Sequence, residues 1–293
     1  MKTFRHAVVP LIAVLSFSAL APPSSADAAP AGHPITCGMV VQDDAQLYLA
    51  RDLYCPDFGV RLEQHPSIIP TIKIDLRGHT LRGPGSGYGI SGFTPGVTSN
   101  FPVEAQVEVR NGRLNGWEVA LSSGTELRAR DIVLVNNETG FLCFGSCYLD
   151  RSHVSRSSEA GLVMIGDGGG GGAVVTRTSF VKNQIGAQIV GGYPSMTISD
   201  SLFLANDVGA QADAAQVRMS HTLIVKNRVG VLVTGWDTPW PGDTYPCAGL
   251  TNVRFVWNGT NLDGPRADRQ VAVPPLGRNA FVRNGTNLVG PRC

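Results

Sequence analysis

The sequence predicts an all-β solenoid, in which short repeated units stack on one another and share one continuous core. A short apolar strand that opens with glycine recurs along the chain, and its copies follow one another at intervals of 21 to 25 residues. A second pattern, which ends in asparagine, precedes several copies. The chain's 35 glycines and 19 prolines indicate many turns and disfavour long helices. The leading glycines of the copies are Gly140, Gly161, Gly186, Gly209 and Gly230.

Each repeat contains three short strands. The glycine-led strand is preceded by the pattern small-polar, x, apolar, x, x, Asn, as in Thr178–Asn183, Ser201–Asn206 and Thr222–Asn227. Upstream of that pattern, apolar and polar residues alternate, as in Met196–Ser199. Alternation with a period of two favours strand over helix. The copies therefore predict units of about 22 residues that hold three strands and their turns.

Stacking the repeats in register predicts columns of like side chains. One column is a ladder of asparagine amides at a turn, hydrogen-bonded at the strand spacing of ~4.8 Å, and another is an apolar column inside the coil. Near the C-terminus, a clearer duplication relates residues 255–266 to residues 281–292. The ladder consists of Asn183, Asn206 and Asn227, and the apolar column of Phe180, Phe203 and Ile224.

Residues 1–28 have the pattern of a secretory signal peptide. A basic start precedes the apolar run Ala7–Ala21, and Ala26–Ala28 fits a small-x-small cleavage site. A transmembrane anchor is the alternative, but the run holds Pro10 and is shorter than the ~20 residues that a bilayer requires. We therefore expect a secreted, extracellular protein that keeps no membrane span after signal removal.

The charge balance excludes a strong overall electrostatic field around the molecule. The chain has 24 Lys and Arg against 23 Asp and Glu, and without Lys2, Arg5 and Asp27 of the leader the balance is 22 minus 22. We therefore expect no nucleic-acid partner, although an overall neutral chain can still carry a local charged patch. With 16% charged and 43% hydrophobic residues, the composition also excludes disorder.

Six cysteines lie beyond the leader, and an even number in an exported chain suggests disulfide bonds of several possible connectivities. Zinc is the alternative for Cys143 and Cys147, but no other cysteine or histidine lies at zinc-ribbon spacing, so we expect no metal site. Sequence proximity favours the pairs Cys37–Cys55, Cys143–Cys147 and Cys247–Cys293.

Three stretches, Ile35–Gly38, Leu53–Cys55 and Ile74–Gly85, resemble secreted right-handed parallel β-helix proteins of the pectin-lyase-like group. The motif Asp75-x-x-Gly-His79-Thr is specific to that architecture and not to a reaction. The resemblance implies a right-handed parallel β-helix, in a group that includes lyases, epimerases, glycosidases and members without known activity. The expected domains are a signal peptide at 1–28, an N-terminal cap region at 29–70, and a β-helix at 71–293 with a Pro/Trp-rich loop at 235–247.

The resemblance also implies a kind of site. In lyases and epimerases of this group a base removes the proton beside a uronate carboxylate, while Asp residues, often with calcium, neutralise that carboxylate. Calcium is possible here but is not indicated by the sequence. Stacking the strand upstream of the asparagine pattern brings Asp and Arg together on adjacent rungs; a purely structural column is the alternative, since alternating charge favours register. The candidate catalytic residues are Arg130, Asp131, Asp150, Arg151 and Arg177.

Two further features are candidates. His79 beside Asp75 is either an oriented base or a structural part of the motif. The loop at 235–247 breaks the repeat, and its aromatic side chains either stack on sugar rings or form a lid over the last rungs. The candidate substrate-binding residues of that loop are Trp236, Trp240 and Tyr245.

Two classes of function follow. The first is a carbohydrate-active enzyme, a lyase or epimerase, that acts on an acidic polysaccharide. The second is a non-catalytic glycan-binding or structural extracellular protein. The second class is favoured by the missing compact Asp triad and by an outward column that has no acid and much apolar surface. That column consists of Leu142, Val163, Gln188, Gln211 and Leu232.

Overall fold

The structure, a computed structural model, describes residues 32–63, 69–92, 105–166, 171–191, 194–234, 247–263 and 280–282. Within these ranges every regular element is a β-strand, and the strand pairs are parallel. The predicted all-β solenoid is thereby confirmed. The signal peptide at 1–28 lies outside the described residues, so secretion stays a prediction. The described residues contain no helix that is long and apolar enough to cross a membrane.

The described strands are short, apart from two of ten residues. The first fourteen are β1 (His33–Pro34), β2 (Met39–Val41), β3 (Ala45–Tyr48), β4 (Leu53–Tyr54), β5 (Val60–Leu62), β6 (Thr71–Asp75), β7 (Thr80–Arg82), β8 (Tyr88–Ser91), β9 (Gln106–Asn115), β10 (Val119–Ser123), β11 (Glu126–Val135), β12 (Thr139–Cys143), β13 (Ser146–Asp150) and β14 (His153–Ser155). The others are β15 (Ala160–Ile165), β16 (Gly172–Thr176), β17 (Ser179–Val181), β18 (Ile185–Val190), β19 (Ser195–Ser199), β20 (Leu202–Leu204), β21 (Val208–Asp213), β22 (Gln216–Ser220), β23 (Leu223–Val225), β24 (Val229–Thr234), β25 (Cys247–Thr251), β26 (Arg254–Val256), β27 (Thr260–Asp263) and β28 (Ala280–Val282).

Each turn of the coil places one strand on each of three faces. Faces 1 and 2 form one continuous sheet because β9 and β11 run from the first face into the second, whereas face 3 is a separate ten-stranded sheet. Face 1 consists of β1, β3, β6, the first halves of β9 and β11, β13, β16, β19, β22 and β25. Face 2 consists of β4, β7, the second halves of β9 and β11, β14, β17, β20, β23, β26 and β28. Face 3 consists of β2, β5, β8, β10, β12, β15, β18, β21, β24 and β27.

The leading glycines of the repeat lie at or beside the start of the face 3 strands, where successive rungs approach closely. A Cβ on Gly140 would lie 2.5 Å from the carbonyl oxygen of Gly161, and a Cβ on Gly161 would lie 2.5 Å from that of Gly186. Real side chains do not tolerate such contacts with backbone, so these positions require glycine. The leading glycines therefore recur in the sequence because successive rungs are in close contact at these positions.

The middle residues of the face 2 strands point into one shared core. Phe180, Phe203, Ile224 and Phe255 are fully buried, and the rings of Phe180 and Phe203 stack with centroids 4.8 Å apart and planes inclined by 10°. Phe255 pairs in register with Phe281, which aligns the two copies of the C-terminal duplication. The predicted apolar column therefore lies inside the coil.

A ladder of buried asparagines closes the turn between faces 2 and 3. Asn206 Oδ1 accepts hydrogen bonds from the backbone N–H of Asn183 at 2.9 Å and from its Nδ2 at 3.1 Å. Asn206 Nδ2 donates to the carbonyl of Phe180 at 3.0 Å and to Asn227 Oδ1 at 3.0 Å. Asn227 bonds Asn258 in the same way, so the predicted ladder extends one rung further.

Two corners of the coil are built from residues in the left-handed region, which non-glycine residues adopt at a cost of about 1 kcal/mol or more. The first corner, between faces 1 and 2, has φ values between 45° and 55° on successive rungs. The second corner, between faces 2 and 3, has φ values between 55° and 58°. The first corner contains Asp131, Arg151, Arg177, Asp200 and His221, and the second contains Arg156, Lys182, Ala205, Lys226 and Trp257.

Two disulfide bonds lie within the described residues. Cys37 is bonded to Cys55, with Cα atoms 5.2 Å apart, and Cys143 is bonded to Cys147, with Cα atoms 6.3 Å apart. Cys247 is also disulfide-bonded. Cys293 lies outside the described residues, so the third predicted pair stays a prediction.

Candidate functional site

The five predicted catalytic residues meet at and beside the first corner. The stacking is as expected, because Arg130 pairs with Asp150 and Asp150 with Thr176 at the ends of the face 1 strands. The next residue along the chain is the corner residue of each rung. Asp131 and Arg151 therefore occupy adjacent rungs, and Arg177 lies on the rung after them.

Within this cluster the guanidinium groups hold the carboxylates. Arg151 donates from Nε and Nη2 to the two oxygens of Asp131 at 2.8 and 2.7 Å, and from Nη1 to Asp150 at 2.8 Å. Arg177 donates two hydrogen bonds to Asp150 at 2.9 and 2.7 Å, and the Thr176 hydroxyl donates a third at 2.6 Å. Both carboxylates are therefore already engaged by the chain's own donors.

The electrostatics agree with this geometry. Hydrogen bonding from Arg151 lowers the pKa of the Asp131 carboxyl. Partial burial raises the pKa of Asp150, but hydrogen bonds from Thr176 and Arg177 outweigh it and leave that pKa below the ordinary value. Both groups are ionised at neutral pH, and their negative charge is neutralised by ion pairs with neighbouring arginines. Such an ion-pair ladder holds successive rungs in register.

Arg130 belongs to a different pair. Its Nη2 lies 3.4 Å from Glu108 Oε1 on the neighbouring rung of face 1. The cluster therefore runs on toward the N-terminus, where Arg110 donates to Asp75 at 2.9 Å. The catalytic role of the five residues stays a prediction.

The histidine of the Asp-x-x-Gly-His motif lies in a turn. Asp75 Oδ1 accepts from the backbone N–H of Arg77 at 2.9 Å, and the backbone N–H of His79 donates to the carbonyl of Leu76 at 2.8 Å. The His79 Nδ1 lies 3.3 Å from Asp52 rather than beside Asp75. These contacts account for the motif as a turn.

A groove of about 280 Å³ lies on face 2 and reaches the second corner. Its floor is apolar and its rims are polar or cationic, which suits a chain of sugar rings that carry charged groups. Parallel strands of face 2 continue on both sides of the groove along the coil axis. The residues that line the groove are Arg113, Val133, Val135, His153, Ser155, Arg156, Val181 and Lys182.

His153 is the titratable side chain at the centre of the groove. It is half-buried, and its Nδ1 lies 2.7 Å from the hydroxyl of Ser179 on the next rung. Burial lowers the pKa of His153 below the usual value of 6.5, and the positive charge of Arg113 lowers it further. The imidazole is therefore neutral at pH 7. When Nδ1–H donates to Ser179, the other ring nitrogen, Nε2, carries a free lone pair.

The other charged groups that line the groove are cations. Arg113, Arg156 and Lys182 are exposed, and no ion pair involves them within the described part of the chain. From β9 to β26 the outward positions of face 2 hold no carboxylate. Glu138 and Glu159 follow the second corner and lie at the start of the face 3 strands. An anion on face 2 would therefore meet only cations and neutral groups.

The sequence patterns do not predict this groove. A column that combines Asp with Arg is the pattern expected of a uronate site, whereas Asp is absent from the residues that line the groove. The signal was nevertheless present, because Arg113, His153, Arg156 and Lys182 all lie two or more positions after the first-corner residue of their rung. These positions form columns of their own, distinct from the column of the ion-paired first corner.

The remaining predicted site feature is the Pro/Trp-rich loop. Trp236, Trp240 and Tyr245 of the Pro/Trp-rich loop lie outside the described residues, so their role in substrate binding stays a prediction. Among the described residues, no three His, Cys, Asp or Glu side chains are grouped so as to hold a metal ion.

No known family profile matches the chain, and no curated protein sequence matches it. Solved structures similar to it include a double mutant of the periplasmic alginate epimerase AlgG, with a TM-score of 0.43 and 12% identity over 89% of this chain and 73% of that chain. The A-module of the Azotobacter vinelandii mannuronan C-5 epimerase AlgE6 has a TM-score of 0.44 and 17% identity over 90% and 88%. The enzymatically active domain of bacteriophage CBA120 tailspike protein 2 has a TM-score of 0.43 and 13% identity over 85% and 42%.

The path of the chain itself decides the architecture. Parallel strands return to the same three faces on every turn, an asparagine ladder closes one corner, and the repeat glycines allow the rungs to touch. The chain is a right-handed parallel β-helix.

Proposed function

We propose that this chain binds an acidic polysaccharide in the face 2 groove and cleaves it by β-elimination, with His153 as the base. The observation that carries the proposal is a half-buried, neutral imidazole in a groove whose charged groups are all cations. A uronate presents the complementary charge in its carboxylate, next to an acidic C–H bond at C5. Arg113, Arg156 and Lys182 would pair with that carboxylate and stabilise the charge that develops on it.

The chemistry requires one base on one side of the sugar. Nε2 of His153 takes the proton from C5, and the electrons of the C5–H bond become the C4=C5 double bond. The C4–O bond breaks with its electron pair, and the departing oxygen takes the proton from the imidazolium. The products are an unsaturated uronate and a new free hydroxyl, and no water is consumed. Epimerisation would need a second proton donor on the opposite face of the sugar, so elimination fits this groove better.

The ion-paired first corner has a supporting part in this proposal. Arg151 and Arg177 are held by Asp131 and Asp150, which leaves the corner nearly neutral and rigid. It borders the groove on one side, and the exposed cations of the second corner border it on the other. The base is thus assigned to His153 and not to the Asp/Arg cluster.

The test is a turnover assay with matched histidine variants. Purified protein is incubated with polygalacturonate, alginate, hyaluronan and a neutral glycan, and the ultraviolet absorbance of the C4=C5 bond is followed. We expect an unsaturated product from an acidic polymer only. His153→Gln should lower turnover about a thousandfold, which is the usual contribution of a positioned general base. His221→Gln is the control, because His221 is exposed at the first corner and bonds Asn252 instead.

The outcomes separate the candidate sites and functions. If Arg151→Ala and Arg177→Ala abolish turnover while His153→Gln retains it, the corner cluster is the catalytic centre and the proposal is wrong. If acidic glycans bind but no product forms under any condition, the chain is a glycan-binding protein. Binding that is equally strong for the neutral glycan would contradict the cationic groove itself.

A further inference from the structure

The second corner continues beyond the groove as a straight row. Arg156, Lys182, Ala205, Lys226 and Trp257 occupy it on five successive rungs, joined by backbone hydrogen bonds such as Arg156 N–H to Val181 O and Lys226 N–H to Val256 O. Four rung steps at a strand spacing of ~4.8 Å place Trp257 roughly 19 Å from Arg156 along the coil axis. The row therefore extends the cationic rim well past His153.

Trp257 is a large, exposed side chain at a corner that also accepts alanine. Its side chain is 49% exposed, and its backbone is held in the left-handed region at φ 55°. Ala205 adopts the same conformation two rungs away, so the corner does not require a large side chain. The ammonium of Lys226 lies 5.4 Å from the centroid of the Trp257 ring. An exposed indole beside a fixed cation is suited to one apolar sugar face and one carboxylate.

We propose that Lys226 and Trp257 form a distal subsite for the same anionic chain, so that the polysaccharide lies parallel to the coil axis from His153 to Trp257. This inference rests on the proposed function and adds the direction and minimum length of the substrate. A chain that advances by one sugar per rung of the coil places one sugar beside each rung from Arg156 to Trp257. A sugar at His153 and a sugar at Trp257 are then the two ends of a pentasaccharide.

The row of cations supports this direction. Arg156 and Lys182 lie on adjacent rungs and Lys226 lies two rungs further, so three of the carboxylates of one axial chain can each meet a cation. A chain that crossed the coil at right angles would instead leave the cationic rim. It would meet the ion-paired first corner on one side and the acidic start of face 3, with Glu138 and Glu159, on the other. Charge complementarity therefore favours the axial path.

The experiment measures binding against substrate length. Oligogalacturonates and oligomannuronates of two to eight sugars are titrated calorimetrically into His153→Gln protein, which binds without turnover. Affinity should rise sharply between the tetrasaccharide and the pentasaccharide. Adding Trp257→Ala should remove that rise and weaken hexasaccharide binding about fivefold, the size expected when one aromatic stacking contact is lost. Trp257→Phe should keep most of the rise.

Tyr148→Ala is the matched control. Tyr148 is another exposed aromatic with a cation over its ring, Arg128 at 4.5 Å, but it lies on face 1. It should leave the affinity unchanged at every length. If oligomers of every length bind equally to Trp257→Ala and to its parent, the distal subsite is wrong while the groove proposal stands. If no oligouronate of any length binds, the proposed function itself fails.

Discussion

His153 combines three properties: partial burial, a hydroxyl partner and charged groove neighbours that are all cations. Each property acts in the same direction, because burial and positive charge both favour the neutral ring and Ser179 orients it. The same surrounding groups also determine how activity should depend on pH. An imidazole ordinarily changes its charge near neutral pH, so the lowered pKa of His153 sets the pH at which the base becomes active.

We expect kcat/KM on an acidic polymer to rise with pH along an acid limb whose midpoint lies below pH 6.5. The sign follows from the mechanism, since the base works only when it is neutral and its pKa is lowered in the folded chain. Arg113→Gln removes one of the two causes and should move the midpoint upward. The measurement is a pH–rate profile of both proteins. A midpoint above 6.5 in the parent protein would contradict the assignment of His153.

At the scale of the element, the asparagine ladder ties each rung to the next. Asn206→Ala should lower the free energy of unfolding by about 3 kcal/mol, since it leaves buried partners on two rungs without their hydrogen bonds. The affected partners include the amide groups of Asn183 and the carbonyl of Phe180. Urea unfolding of the variant measures the loss.

Gln184→Ala provides the control for the ladder. Gln184 directly follows a ladder asparagine, but its side chain is exposed. Its replacement should change the free energy of unfolding by less than about 0.5 kcal/mol, as is usual for surface positions. Equal losses for the two variants would show that the ladder amides contribute no more than an exposed amide does.

Sequence patterns predicted the elements well because each element depends on contact between adjacent rungs. The leading glycines, the asparagine ladder and the column of Phe180, Phe203 and Ile224 all repeat for that reason, and all lie where stacking placed them. The groove does not repeat in this way. It depends on which outward side chain each rung carries, and a solvent-facing position such as Ser179 tolerates many residues without disturbing the coil. Stacking alone therefore predicts the fold and leaves the site open.

The first corner also shows which part of a site the sequence predicts and which part it does not. Its column was predicted correctly, and Asp131 and Arg151 do meet. What the sequence could not supply is the direction of each side chain. In the structure the arginines turn toward the aspartates of neighbouring rungs and not toward a shared cavity. Composition alone does not distinguish a uronate-binding site from a ladder of ion pairs between neighbouring rungs.

At the scale of the whole molecule, the ion pairs predict how stability depends on acid. The pKa values of Asp131, Asp150 and Asp207 are lowered in the folded chain from the ordinary value of 3.8. The unfolded chain therefore takes up protons first, so this stabilisation is complete above about pH 4 and is lost as the pH falls through the lowered values. His153 acts in the same direction below pH 6.5, because burial disfavours its charged form.

Thermal unfolding between pH 2 and pH 7 tests this dependence. The melting temperature should fall slowly below pH 6.5 and steeply below pH 4. Asp131→Asn combined with Asp150→Asn should flatten the steep part, because two of the linked protonations are then absent. Glu126→Gln is a control on the same face, where its partner Arg128 lies away from the first corner. An unchanged acid limb in the double variant would contradict the structural role of the corner.

The ladder also has a consequence for how the chain can be produced. Asn137 and Asn258 each begin an Asn-x-Thr sequon, yet both side chains are almost fully buried and bond the backbone of a neighbouring rung. An oligosaccharide on either amide leaves no room for the next rung, so a folded molecule cannot carry one there. In a host that glycosylates chains during export, a sugar at Asn137 or Asn258 would mark a molecule that can no longer complete its coil. Glycosylation and folding would then compete for the same two amides.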